Sequence, residues 1–238
     1  MIGGFIIRGA VRKNVVLRAL GPSLAKDGVT GTLADPVLQL FDSAGNLIEM
    51  NDNWSTAPEN LVALGLEPTN PAEAAISTTL PEGNYTAVLS GANGSSGVAL
   101  LELYDLDPAG SILSNISTRG EVISGDDPII GGFIAGGAKP THVLIRAIGP
   151  SLSALGVTGA LPDPVLELRN SDGSLLFAND NWRSDQEQQV LDTTIAPTDD
   201  REAAIVATLA PGNYTAIVRD SSGAGGVALV EAYALPSN

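Results

Sequence analysis

The sequence predicts an all-β protein built as two tandem, homologous antiparallel β-sandwich domains of jelly-roll or immunoglobulin-like type. Three observations carry that expectation. The 238-residue chain holds 27 Gly and 15 Pro with only 4% aromatic residues, and Val, Ile, Leu, Ala and Thr fill much of the rest, as suits short strands joined by tight turns. Apolar and polar residues alternate with period two over short runs. Finally, the chain repeats itself: RALGPSL at residues 18–24 returns as RAIGPSL at residues 146–152, a shift of 128.

The same shift carries DPVLQL (35–40) onto DPVLEL (163–168) and NDNW (51–54) onto NDNW (179–182). One extra residue then enters the second copy. Beyond it EAAI (73–76) matches EAAI (202–205), GNYTA (83–87) matches GNYTA (212–216), and GVALLELY (97–104) matches GVALVEAY (226–233). A period this long is a whole domain, well above the roughly 20–50 residues of a solenoid unit. The expected domains are residues 1–110 and 129–238, with residues 111–128 as a junction hairpin.

Taken in order, strands are expected at residues 5–8, 15–20, 37–41, 47–50, 74–79, 85–90 and 98–106, and at their counterparts in the second copy. The third and fourth are joined by DSAGN (42–46), and their counterparts by NSDGS (170–174), where Asx and Gly residues suit a side-chain-capped turn with positive φ. Between the fourth and fifth lies a long connection that differs most between copies, residues 55–70 and 183–200. There PENLVAL and DQEQQVL each fit about two helical turns, and any specialised binding by one domain belongs in such loops. LPEGNY and LAPGNY place Gly two residues before Tyr85 and Tyr214, as in a tyrosine corner, so both hydroxyls should return to nearby backbone.

Composition removes several function classes. Lys and Arg total 12 against 27 acids, a net charge of -15, which repels phosphate backbones and anionic lipid surfaces and argues against nucleic-acid binding. No run approaches the roughly 18 apolar residues needed to insert in a bilayer, and the N-terminus lacks a leader's charged and apolar regions, so the chain is cytosolic or has lost a leader. With no Cys, disulfides, thiolate nucleophiles and cysteine metal sites are absent. Low Lys with abundant Asn, Thr, Ser and Gly leans toward an exported bacterial protein.

The combination IGGFI, VLRALGPSL, DPVLQLFDSAGNL, NDNW, LPEGNYTAVLSG and GVALLELYDLD, followed by NISTRGEV, resembles a tandem module of large secreted and surface proteins of environmental bacteria. The resemblance spans essentially the whole chain, twice. The DPVLQLFDSAGNLIEMNDNW to LPEGNYTAVLSG core is also similar to bacterial pre-peptidase C-terminal domains, over roughly half of each copy. These resemblances imply a β-sandwich, export to the extracellular space or cell surface, and an accessory, adhesive or structural role. They bring no catalytic residues with them.

Several side-chain groups could carry chemistry. Asn51, Asp52, Asn53 and Glu73, and in the second copy Asn179, Asp180, Asn181 and Glu202, could offer hard oxygen ligands to Ca²⁺; the alternative is that they cap turns while Trp54 and Trp182 plug the sandwich ends. No other cofactor is expected. Arg18 and Arg146 sit on apolar strand faces and need partners, for which Glu102 and Glu231 are placed. Eight of the aromatics recur as matched pairs, Phe5/Phe133, Trp54/Trp182, Tyr85/Tyr214 and Tyr104/Tyr233, which suits core and corner duty better than a sugar platform. His142 is the only His, its counterpart is Asn14, and no GxSxG accompanies it, so a hydrolase triad is not indicated. The Gly-rich stretches lack phosphate-loop context and read as turns.

The expected function is therefore a non-enzymatic extracellular structural or adhesive protein. NISTRGEV and DPIIGGFI read as two strands about an SGDDP turn. One such hairpin shared by two domains would leave an unpaired edge beside Ile2, Phe5 and Ile7 or beyond Tyr233 and Leu235, inviting head-to-tail self-association into a fibre or array. The alternative is a carbohydrate-binding or adhesin module that takes glycans on its variable loops.

Overall fold

The computed structural model describes residues 1–56, 60–107, 110–123 and 128–236. The chain is all-β with antiparallel sheets, and it divides into two compact units, Met1–Leu113 and Ser114–Asn238.

The first unit contains β1 (Ile2–Arg8), β2 (Lys13–Leu20), β3 (Pro36–Phe41), β4 (Leu47–Asn51), β5 (Ala74–Leu80), β6 (Gly83–Gly91) and β7 (Leu100–Asp105). One sheet runs β1-β6-β3-β4 and the other β5-β2-β7. Alternation decides which side chains meet between them: Ile7, Leu38, Leu40 and Ala87 from one sheet pack against Val15, Leu17, Ala19 and Ile76 from the other. The helical turns expected in the divergent connection are α1 (Asn60–Leu64), which buries Leu61, and its counterpart α2 (Glu187–Asp192), which buries Val190. Residues 57–59, at the start of PENLVAL, lie outside the described residues.

The second unit takes in most of β8 (Ile112–Val122), then β9 (Ile129–Ala135), β10 (Thr141–Ile148), β11 (Pro164–Asn170), β12 (Leu175–Asn179), β13 (Ala203–Leu209), β14 (Gly212–Asp220) and β15 (Gly226–Ala234). Its sheets run β13-β10-β15-β8 and β12-β11-β14-β9. The core between them joins Val143, Ile145, Ile205 and Val230 to Leu166, Leu168, Ala216 and Val218.

The division between the units falls at Ser114, inside the segment 111–128 expected as a junction hairpin. The strands β8 and β9 are not paired with each other: β8 pairs with β15 in one sheet, while β9 pairs with β14 in the other. The physical reason is the apolar pattern at the two ends, since Val122 and Ile129 both reach the same core from opposite sheets. Of the SGDDP turn, residues 124–127 lie outside the described residues.

Turns follow local chemistry. Asp42 Oδ1 accepts from the Ala44 and Asn46 N–H groups, each at 2.9 Å, with Gly45 at φ 79°. Asn170 Oδ1 accepts from the Ser174 N–H at 3.0 Å, with Gly173 at φ 84°. The bonds to Asn46 hold the Asp42 carboxyl below the usual carboxylate range. Both corner tyrosines return as expected: Tyr85 donates to Pro81 O at 2.9 Å and Tyr214 to Ala210 O at 2.8 Å. No helix among the described residues is long and apolar enough to cross a membrane.

Candidate functional site

The motifs repeated at residues 18–24 and 73–76 prove to be two sides of one contact. Glu73 is fully buried, and its Oε1 accepts from Gly21 N–H (3.0 Å), Ser23 N–H (2.8 Å) and the Ser23 hydroxyl (2.5 Å). Its other oxygen accepts from Asn70 N–H at 3.3 Å. Glu202, also fully buried, repeats the arrangement with Gly149, Ser151 and Asp199. Four donors on each carboxylate offset the cost of burying its charge. The Gly of GPSL is required by close approach, for a Cβ on Gly21 would lie 2.1 Å from Leu33 O, and one on Gly149 would lie 2.3 Å from Leu161 O.

NDNW closes the same end of each sandwich. Asn51 Oδ1 accepts from Ala75 N–H and Asn179 Oδ1 from Ala204 N–H, both at 3.0 Å. Trp54 and Trp182 donate their backbone N–H groups to Glu73 O and Glu202 O, at 2.7 and 2.8 Å. Asn53 and Asn181 donate to the carboxylates of their neighbours Asp52 and Asp180 at 3.1 Å. The Asp180 carboxyl is raised above its ordinary range by burial, with the Asp163 charge adding to it. Of the oxygens predicted as calcium ligands, those of Asn51, Glu73, Asn179 and Glu202 thus accept from N–H and O–H donors of their own unit. Among the described residues no group of three or more Asp, Glu or His is placed to hold a metal.

A second repeated cluster lies on the outer face of β2 and β7, and of β10 and β15. Arg18 Nε donates to Glu102 at 2.7 Å, its other nitrogens reach Tyr104 Oη (2.9 Å) and Leu66 O (3.0 Å), and Tyr104 donates to Glu102 at 3.1 Å. Arg146, Glu231, Tyr233 and Ile195 O form the same set. The guanidinium carbons sit 5.0 and 5.1 Å from the tyrosine ring centroids. Burial, helped by the Glu231 charge, pushes Tyr233 up to about 12, and burial with the Glu102 charge raises Tyr104. Each cluster fixes register, because Arg18 stands opposite Glu102 and Arg146 opposite Glu231, and each anchors the divergent connection through a backbone carbonyl.

The residues predicted for self-association lie in or next to strands paired within their own unit. Ile2 pairs opposite Val88, Phe5 is buried and stacks on Tyr85 at 5.2 Å, and Ile7 is a fully buried core residue. Tyr233 stands between Leu144 of β10 and Asn115 of β8, so the vacancy expected beyond it is filled. Leu235 donates its N–H to His142 O at 2.8 Å and packs with Leu144, Trp182 and Val190. His142 Nδ1 lies 3.1 Å from Thr208 Oγ1.

One strand edge without a neighbour belongs to β7. β7 pairs with β2 on one side, and among the described residues no strand pairs with its other edge. Its counterpart β15 carries β8 there, in the register Gly226↔Val122 to Tyr233↔Asn115. Side chains record the difference: Leu100 is 41% exposed and Leu101 half-buried, where Val230, the counterpart of Leu101, is 4% exposed. A sequence signal for this edge existed, in that NISTRGEV occurs once while GVAL occurs twice; what could not be read was which strand it covers.

Edge strands β4 and β12 also expose apolar residues, Leu47, Ile48 and Met50 in one and Leu175, Leu176 and Phe177 in the other. Beside Phe177 an open hollow of about 450 Å³ is lined by residues 185–189. Phe177 replaces Glu49 of the first copy, so this aromatic-and-amide surface belongs to the second unit alone.

No family model matches the chain, and no curated protein matches it. Among solved structures it is similar to a chain of the Sulfolobus turreted icosahedral virus, at 10% identity and TM-score 0.30, covering 97% of this chain and 85% of that one. It is also similar to the PBCV-1 virus capsid, at 10% identity and TM-score 0.24 over 97% and 92%. A third likeness is to the infectious bursal disease virus VP2 subviral particle, at 12% identity and TM-score 0.18 over 97% and 63%. At TM-scores this low, these likenesses say nothing of what the present chain binds or builds.

Proposed function

We propose that the chain is a non-enzymatic structural protein of the extracellular space or cell surface, acting by self-association of β-sandwich units. The observation that supports it most directly is the uncovered edge of β7, set against its covered counterpart β15. An unpaired edge presents a row of backbone donors and acceptors to another strand. The polar clusters repeated in both units fit the same reading, because Glu73, Glu202, Arg18 and Arg146 bind their own backbone and one another. The expected behaviour is growth of assemblies with concentration, followed by light scattering and by electron microscopy of the 238-residue chain. A monodisperse monomer at every concentration would end this reading.

A second reading, glycan binding, is favoured by the hollow beside Phe177, where an exposed ring borders Gln and acidic side chains. Saturable binding on a glycan array, lost on Phe177→Ala, would support it.

A further inference from the structure

We propose that the outer edge of β7 is a strand-docking site, whose occupant is an extended segment with the pattern of β8, presented by a second molecule that carries the same repeat and holds that segment free of its own β15-type strand. The inference rests on the self-association reading and adds to it the site, the partner's sequence pattern and the register. Its warrant is internal to the chain. GVALLELY and GVALVEAY are the same element in two copies, and the second is seen with its partner in place.

The register transfers residue by residue. Leu229 faces Arg119, Val230 faces Thr118, Ala232 faces Ile116 and Tyr233 faces Asn115. Their counterparts in the first unit are Leu100, Leu101, Leu103 and Tyr104. The incoming strand therefore places an Arg opposite Leu100, a Thr opposite Leu101, an Ile opposite Leu103 and an Asn opposite Tyr104. Val122, opposite Gly226, is a buried core residue of the second unit, so the equivalent Val falls opposite Gly97 and closes the core beside Ala99 and Leu101, both only partly buried. Asn115 Nδ2 donates to Ala232 O at 3.2 Å; transferred, that bond reaches Leu103 O and sets register, where a sliding strand would leave a buried amide unpaired.

The state of β7 supports an absent partner. Identical GVAL segments are strand from Gly226 onward in the second unit, whereas in the first only an isolated bridge at Val98 precedes the strand that starts at Leu100. Docking would extend β7 back to Gly97.

The test uses the 238-residue chain and a labelled synthetic peptide, SILSNISTRGEVI (residues 111–123). Expected are saturable binding at one peptide per chain and slower amide exchange over residues 97–105. Ile116→Asp with Val122→Asp in the peptide should weaken binding at least tenfold without altering the protein. Because the chain has no cysteine, register can be read by disulfide capture: Leu100→Cys should trap an Arg119→Cys peptide and not a Ser117→Cys one. Absence of binding, indifference to the Asp substitutions, or capture by Leu229→Cys in place of Leu100→Cys would each overturn the site. If the chain assembles but the peptide neither binds nor blocks assembly, the docking site fails while self-association stands. If the peptide binds and the chain never assembles, the docking site stands while self-association of this chain falls.

Discussion

The tetrapeptide GVAL occupies residues 97–100 and 226–229. In the second unit it opens a nine-residue strand, and in the first the strand of six residues begins at its last residue. Local propensity is identical, so the difference lies in what stands alongside: β15 has β10 and β8 as neighbours, and β7 has β2. The ladder to β10 reaches back only to Leu229, as that to β2 reaches back only to Leu100, and it is the ladder to β8 that carries the strand on to Gly226. The two units differ again at the other end of the same strand. Lys13 is fully buried and donates to both oxygens of Asp105 at 2.8 Å and to Asp107 O at 2.6 Å; the second unit has Thr141 and Ala234 at the first two of these positions. One unit holds its β2–β7 junction with a buried ion pair, and the other does without.

This near-symmetry supplies its own controls. The largest effect is expected where the units agree. Glu73→Ala and Glu202→Ala each strand several inward donors, and each should cost its own unit about 4 kcal/mol; urea unfolding that showed a large loss in one unit only would break the equivalence. Next comes the ion pair. Asp105→Ala leaves buried Lys13 without a carboxylate and should cost about 3 kcal/mol, whereas Lys13→Thr combined with Asp105→Ala, which installs the second unit's residues, should cost no more than about 1 kcal/mol. Denaturation of single and double variants checks the sign.

A smaller effect separates the covered edge from the open one. Val122→Ala should destabilise the second unit by about 2 kcal/mol and leave the first unchanged, and hydrogen exchange should find residues 226–229 slower than residues 97–100 in the parent chain. The last effect appears only at alkaline pH. Tyr233 is held at about 12 when folded against about 10 when unfolded. Its contribution is therefore complete below about pH 10 and is lost as pH rises toward 12. Tyr233→Phe should flatten that limb, read from unfolding midpoints across the range.

Much of the fold was legible because its signals are local or repeated. Alternation marked the strands, Asx-Gly turns marked DSAGN and NSDGS, and the placement of Arg18 and Glu102 on apolar faces foretold their pairing. The partners of Glu73 lie far away in sequence: acidity next to NDNW suggested a metal ligand, and in the structure the carboxylate turns toward Gly21 and Ser23. The signal that could have found them was their joint recurrence as Gly149, Ser151 and Glu202. Ile2, Phe5 and Ile7 drew the expected vacancy to β1, whereas β7 has an uncovered edge among the described residues.

By itself the sequence determined the duplication, the strand faces, the turns and the corner tyrosines, since each depends on residues close in the chain or on comparison of the copies. Only the tertiary structure decided that NISTRGEV and IGGFI enter different sheets, and that β15 is covered where β7 is not. Strand pairing depends on which backbones become neighbours, and two identical GVAL segments cannot carry that information.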